Sequence, residues 1–224
     1  MIIELIGPAG AGKSTLANAL AVRIDYAKLE EPPSYRKIKN TPFFIRNTFS
    51  ILPILSQIYL QGNVRYSPRY HFTSTVLING WHQVLNRKAF KGESIFILDQ
   101  GPVYMIAFET LFGSGTFESN AAKKFWDHAY HCWAETLDLV IWLDASLPVL
   151  LERIHKRETR HSVKGVGDVD AYQYLESYRQ AFESVISRLI ICSKTLKVLR
   201  IDTGQYSIKE TVEKLINELH LEVR

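Results

Sequence analysis

Cysteine is scarce in this chain of 224 residues: only Cys132 and Cys192 occur, and neither belongs to a C-x-x-C pair. That argues against a disulfide framework and for buried thiols in a reducing compartment. No block of lysine and arginine and no aromatic-basic ladder is present, and 27 basic against 23 acidic residues leave a net charge of only +4. Nucleic acid is therefore not an expected partner, while a mild positive balance suits a protein that handles small polyanions. No repeat, low-complexity tract or linker divides the chain, so 1–224 reads as one domain with a sizeable core. A long unbroken apolar run is also missing. The strongest candidate, Pro42 to Leu60, is interrupted by Arg46, Asn47, Pro53 and Gln57, and reads as one or two helices covering a pocket rather than a membrane span. The N-terminus is itself strand-like, which leaves no room for a signal peptide; a cytoplasmic location is expected.

What the chain does contain is an unbroken G-x-x-x-x-G-K-[ST] loop: Gly7, Pro8, Ala9, Gly10, Ala11, Gly12, Lys13 and Ser14, followed by Thr15. It lies between an apolar run, Ile2 to Ile6, and a helical pattern, which is the context the motif requires. Glycines let successive backbone N–H groups converge on phosphate oxygens, and the helix N-terminus adds partial positive charge there. Lys13 is placed to reach the β- and γ-phosphates of a nucleoside triphosphate, and the Ser14 hydroxyl to ligate magnesium. ATP and Mg2+ are the expected donor and metal.

Five strands are expected: Ile2–Ile6, Tyr26–Glu31, Ser94–Asp99, Asp138–Asp144 and Leu196–Asp202. The last three are short, mostly apolar and closed by aspartate, as suits a parallel sheet buried on both faces. Helical spacing separates them over Lys13–Ile24, Tyr70–Phe90, Asn120–Leu137, Leu147–Arg160, Asp170–Cys192 and Ser207–Leu219, with Ser207 and Glu210 set as a capping box. The alternation predicts an α/β, three-layer fold: a five-stranded parallel sheet with helices on both faces. Residues 32–67 carry no strand pattern and are expected to be a substrate-covering insertion.

Ligands of such sheets bind beyond the carboxyl ends of the strands, so the residues ending each strand are the informative ones. Asp99 is expected to hold magnesium, directly or through water. Glu31, before Pro32, is a candidate base for an attacking hydroxyl, with Glu30 competing because the strand register is open. Arg153, Arg157 and Arg160 at i, i+4 and i+7 would line one helical face beside the glycine-containing loop 162–167. Together, 146–170 reads as a lid over transferring phosphates. Aromatic residues between Phe43 and Tyr70, with Trp81, could wall a pocket for a base or another flat or apolar acceptor, although core packing is the favoured explanation for each of them singly.

The loop, Glu31-Pro32, Ile97-Leu98-Asp99, Leu151 to Arg157 and Ile201-Asp202, taken in order, resemble the P-loop nucleoside and nucleotide kinases. The thymidylate and deoxynucleoside kinases are the nearest pattern. That resemblance implies that Glu31 is the general base, that Arg153 packs on adenine and that Arg157 contacts phosphates. It places Asp202 to Gln205, Asp202 and Gly204 included, near the donor base. It further implies ATP- and magnesium-dependent transfer of the γ-phosphoryl group to a small-molecule acceptor, most simply a nucleoside or nucleotide, by Lys13, Glu31, Asp99 and Arg157. Such kinases are often dimers, so a homodimer is implied as well. One position departs from the pattern: Gln100 stands where an arginine usually follows the acid. Gln cannot supply the bidentate charged contact; Arg65, Arg69 and Arg87 are candidates to compensate. A non-nucleotide hydroxyl acceptor and a P-loop ATPase or nucleotide-binding regulator are the alternatives. The absence of Asn-Lys-x-Asp and Leu-Ser-Gly-Gly-Gln motifs weakens the GTPase and transporter versions of the latter.

Overall fold

Strand β1 (Ile2–Ile6) is buried along its whole length because it takes the centre of the sheet, hydrogen-bonded on both edges. In the computed structural model, which describes residues 1–60, 68–92, 94–113, 120–158 and 160–220, β2 (Ala27–Leu29), β3 (Ile95–Asp99), β4 (Leu139–Asp144) and β5 (Lys197–Asp202) complete the sheet. The order is β2-β3-β1-β4-β5 and every pairing is parallel. Parallel strands put all carboxyl ends on one edge, so register decides which acids meet. Leu5 lies opposite both Asp99 and Ile141, and Asp144 lies opposite Asp202.

Alternate residues of each strand feed two apolar layers. Ile3, Leu5, Ile97, Ile141 and Leu143 pack under α1 (Lys13–Arg23), α7 (Leu147–Lys156) and α9 (Ile208–Leu219). Ile2, Ile6, Phe96, Leu98, Val140 and Trp142 face α4 (Pro68–Phe90), α5 (Pro102–Phe112), α6 (Asn120–Thr136) and α8 (Asp168–Cys192). Each fully buried Leu, Ile or Phe contributes roughly 1.5–3 kcal/mol of transfer free energy, so this two-sided layering is the principal support of the sheet. Glu4 is the exception within β1. It points to the second layer, fully buried.

Four differences from the expected elements have physical causes. Helix α5 was not foreseen because Gly101-Pro102 reads as a turn; the proline instead occupies the first helical positions, where its missing N–H is no loss. Strand β2 starts later and ends earlier than expected, since Tyr26 adopts the left-handed region (φ 59°) and the strand stops at Leu29. Helix α7 ends at Lys156 rather than Arg160. Arg157 is extended (φ −73°, ψ 146°), so Arg153, Arg157 and Arg160 do not share a helical face. The two cysteines are free and half-buried, not buried, because both sit at the margins of their helices' packed faces.

Within 32–67, a short 3-10 turn (Ile38–Asn40) leads into α2 (Thr41–Ser50) and α3 (Leu52–Leu60), and 61–67 lies outside the described residues. Pro42 to Leu60 thus forms two helices anchored by buried Asn47, Ile51 and Leu55. Among the described residues, no helix is long and apolar enough to cross a membrane.

Candidate functional site

The loop after β1 folds as its glycines dictate. Gly7 has φ +143°, and a Cβ there would stand 2.0 Å from the Leu143 carbonyl oxygen, so no other residue fits. Helix α1 then begins with no side chain capping its N-terminus, which leaves the first-turn amides for an anion. Lys13 folds back over the loop, donating to the Gly7 and Pro8 carbonyls at 2.8 and 3.0 Å. Desolvation pulls its ammonium down to about 8; Arg157 nearby acts in the same direction and Asp99 opposes both. Ser14 donates to Asp99 Oδ2 at 2.5 Å. Asp99 Oδ1 is buried and has no hydrogen-bond partner among the described residues, an orphan oxygen of the kind that a cation would satisfy.

Arg157 borders two cavities. One, of about 380 Å³, runs along the loop from Gly10 and Thr15 to Thr203, Tyr206 and Ile208. The other, of about 150 Å³, is walled by Lys13, Ser14, Gln100, Tyr104, Arg157 and His161, among others. The early end of α7 is what allows this: the extended backbone at Arg157 puts it between the cavities rather than along the helix. Its carbonyl accepts from Lys164 Nζ, which ties the chain beyond the helix back to its end. Arg160, by contrast, lines neither cavity.

Arg153 lines the first cavity and is held by Thr203, whose hydroxyl and carbonyl accept from its guanidinium at 2.9 and 2.8 Å. Thr203 in turn bonds the Asp144 carbonyl through its N–H and hydroxyl, at 2.7 and 3.0 Å. Asp144 also takes Arg179 of α8 at 2.8 Å. Strand ends, α7, α8 and the loop after β5 are therefore one hydrogen-bonded unit. Asp202 and Gly204 fall outside the lining of this cavity, Asp202 lining a separate one with Asp144 and Ala145 at the ends of β4 and β5. Asp202 Oδ1 accepts from the Gly204 N–H at 2.8 Å, closing a turn that presents Thr203 and Tyr206.

A third cavity, of about 220 Å³, lies between α4 and the start of α5, lined by Pro32, Ser74, Leu77, Asp99, Gln100 and Tyr104, among others. Gln100 and Tyr104 border it and the phosphate-side cavity alike. Gln100 is held in the left-handed region (φ 65°), a conformation costing on the order of 1 kcal/mol for a residue with a side chain. The turn is enforced from below. Glu4 accepts the Val103 and Tyr104 N–H groups at 3.0 Å each, capping α5. A Cβ on Gly101 would lie 2.7 Å from the Glu4 carboxyl carbon, so only glycine permits this approach. Burial pushes the Glu4 carboxyl up to about 8, helped by Asp99 and opposed by the backbone N–H groups.

Glu30 and Glu31 follow β2 and line a more open cavity that shares Pro32 with the third one. Glu30 is largely covered and ion-paired with Lys88 at 2.5 Å. Glu31 is 86% exposed and only loosely placed against Lys37 at 3.9 Å. Of the three arginines considered as substitutes, Arg69 and Arg87 do not line the cavity beside Lys13: Arg69 stacks on Tyr35 at 4.6 Å and Arg87 Nε donates to the Gln83 carbonyl, while Arg65 lies outside the described residues. Trp81 is core, packed on Trp133 at a centroid distance of 5.9 Å; among the described residues of the anticipated aromatic segment, Tyr70 lines the third cavity.

Sequence reasoning missed Glu4, Tyr104, His161, Tyr174 and Tyr178. The last two complete the phosphate-side wall, and burial pushes the Tyr178 phenol far above its ordinary range, so it stays neutral. An acid inside an otherwise apolar central strand was the available signal for Glu4. Tyr174 and Tyr178 carry none, because they lie on a helix read only as amphipathic, and Tyr104 lies on α5, which the sequence pattern did not announce.

A parallel sheet in this order, a phosphate loop after β1 and an acid ending β3 define a P-loop phosphotransferase. The deoxynucleoside kinase family model matches residues 3–223, and the chain belongs to that family. It is accordingly an enzyme that transfers a phosphoryl group to a nucleoside. Similar solved structures agree in fold. Deoxyadenosine kinase from M. mycoides with bound dATP is 16% identical, with a TM-score of 0.52 over 98% of this chain and 100% of that one. The same enzyme with dCMP and dCDP bound as products gives 18% and 0.55 over 98% and 99%. Thymidylate kinase from Candida albicans gives 16% and 0.53 over 99% and 96%. No curated protein matches the chain in sequence.

Proposed function

We propose that the enzyme moves the γ-phosphoryl group of ATP, bound with magnesium, to a hydroxyl of a nucleoside. The observation that carries this is the shared boundary: Gln100 and Tyr104 wall both the cavity beside Lys13 and the cavity between α4 and α5. Donor phosphate and acceptor hydroxyl can meet only at such a junction, and holding them there removes most of the entropic part of the barrier.

Lys13 and Arg157 would bear the charge on the transferring group, with Arg153 and Thr203 bordering the rest of the donor. Ser14 and Asp99 would hold magnesium; their close pairing and the orphan Asp99 oxygen fit that group. When bound, the metal neutralises the β- and γ-phosphate oxygens. Glu31 would take the acceptor proton, since it holds only a loose pair with Lys37 at 3.9 Å whereas Glu30 is committed to Lys88 at 2.5 Å.

Among the described residues, no lysine or arginine lines the acceptor cavity. With Gln100 in the usual arginine position, this favours an uncharged nucleoside over a nucleoside monophosphate. The M. mycoides enzyme with products dCMP and dCDP supports a deoxynucleoside as the acceptor.

A panel of nucleosides, nucleoside monophosphates, sugars and hydroxylated lipids with ATP and magnesium tests the reading. ATP turnover is expected to be negligible alone and to rise with nucleosides. Hydrolysis that proceeds equally fast without any acceptor would rule the transfer reading out. Glu31→Gln should lose turnover and Glu30→Gln should retain it; the reverse reassigns the base.

A further inference from the structure

The reacting hydroxyl of an acceptor has to lie beside Gln100 and Tyr104, because these residues also face the phosphates. Tyr70, Thr73, Ser74 and Leu77, one face of α4, border the acceptor cavity but not the phosphate cavity. They meet the part of the acceptor remote from the reaction, which in a nucleoside is the base.

Two hydroxyls there have a defined hydrogen-bond polarity: Thr73 donates to the Arg69 carbonyl at 2.8 Å, and Ser74 is the buried one. It is 3% exposed. Its hydroxyl contacts the Glu109 Oε1 atom and lies 3.1 Å from the His71 carbonyl oxygen. Glu109, on α5, is wholly buried, and its other oxygen lies 2.7 Å from His71 Nδ1. A hydroxyl has one hydrogen and two lone pairs. If Glu109 is ionised, it takes the Ser74 hydrogen. If Glu109 is neutral with its hydrogen on the oxygen that faces His71 Nδ1, the other oxygen still accepts from Ser74. In either state the hydrogen turns into the protein, and the cavity is offered a lone pair only.

We propose that Ser74 reads the base of the acceptor and selects nucleosides that present an amino group to it over those that present a carbonyl oxygen. This rests on the reading that the cavity beside Gln100 holds the nucleoside. A carbonyl there would face a lone pair that cannot reorient, and both groups would go without a partner. A site built to bond a polar group rejects the analogue lacking it far more strongly than a merely apolar pocket does.

The test compares 2′-deoxyadenosine with 2′-deoxyinosine and 2′-deoxycytidine with 2′-deoxyuridine, in the parent, Ser74→Ala and Ser74→Thr. Turnover with ATP and magnesium gives kcat/KM, and calorimetry gives the nucleoside Kd. The parent is expected to favour the amino member of each pair it accepts by about tenfold or more. Ser74→Ala should lower kcat/KM for that member by roughly five- to tenfold, the worth of one hydrogen bond, and leave the oxo member nearly unchanged. Ser74→Thr, which keeps the hydroxyl, should keep the preference. A preference that survives Ser74→Ala, a parent that favours oxo members, or an equal loss for all four nucleosides overturns the proposal. If the parent turns over no nucleoside, the transfer reading fails separately. The calorimetric comparison then decides Ser74 alone: an amino preference abolished in Ser74→Ala sustains it, and no such preference refutes it.

Discussion

The Ser14 hydroxyl donates to Asp99 Oδ2 at 2.5 Å, joining the first turn of α1 to the carboxyl end of β3. The other Asp99 oxygen is buried without a partner among the described residues. Asp99→Asn preserves shape and removes the charge that a divalent cation needs. Turnover should fall on the order of 100-fold or more, while nucleotide affinity measured with a chelator present stays close to the parent value. Parent-like turnover in Asp99→Asn would take Asp99 out of the metal site.

Arg157 owes its place between the two donor-side cavities to the early end of α7. Replacing it with alanine removes charged contacts worth about 1.5–3 kcal/mol each, so kcat/KM for ATP should drop roughly 10- to 100-fold. Arg157→Lys should recover part of the loss, since it restores charge without the planar fork. If neither ATP affinity nor turnover changes in Arg157→Ala, the lid assignment fails.

Lys13 is pulled down to about 8 by desolvation and by Arg157. At pH 8.5 the free enzyme therefore holds this lysine mostly neutral, and a bound triphosphate raises its pKa again. Nucleotide binding at that pH should take up protons, and affinity should weaken as pH rises above 8. Calorimetry in two buffers of different ionisation enthalpy measures the uptake directly. Binding that exchanges no protons at pH 8.5 would contradict the placement of Lys13 against the phosphates.

Glu4 is raised to about 8, mainly by burial. A raised carboxyl keeps its proton in the folded state while the unfolded chain releases it above about 4.5. Its contribution to stability is thus complete below about 4.5 and declines up to about 8, at up to about 1.4 kcal/mol per pH unit. Glu4→Gln, which does not titrate, should gain stability relative to the parent steadily between pH 5 and 8 in denaturant unfolding. A difference between the two proteins that is flat with pH would show that Glu4 is ionised throughout.

Much of the donor side was legible because it is local. The loop from Gly7 to Ser14 is contiguous, and the short apolar runs ending in Asp99, Asp144 and Asp202 announce buried parallel strands. The capping box at Ser207 and Glu210 formed as its spacing required. Less visible was anything that depends on where a helix stops. The arginine spacing suggested one continuous face, but α7 ends at Lys156, and that break places Arg157 between the two cavities beside the loop. The choice between Glu30 and Glu31 likewise depended on Lys88, 58 residues away in the chain.

The sequence by itself determined the nucleotide-binding loop, the alternating parallel architecture and the identity of the acid on β3, since each is set by neighbouring residues and backbone conformation. The tertiary structure alone decided the cavity between α4 and α5. Gln100 acquires its position from a buried Glu4 lying 96 positions earlier, which caps α5 and admits only glycine at position 101. Ser74 acquires its polarity from Glu109 on a different helix. A buried polar group must find its partner wherever packing brings one, and no local spacing records which partner that is.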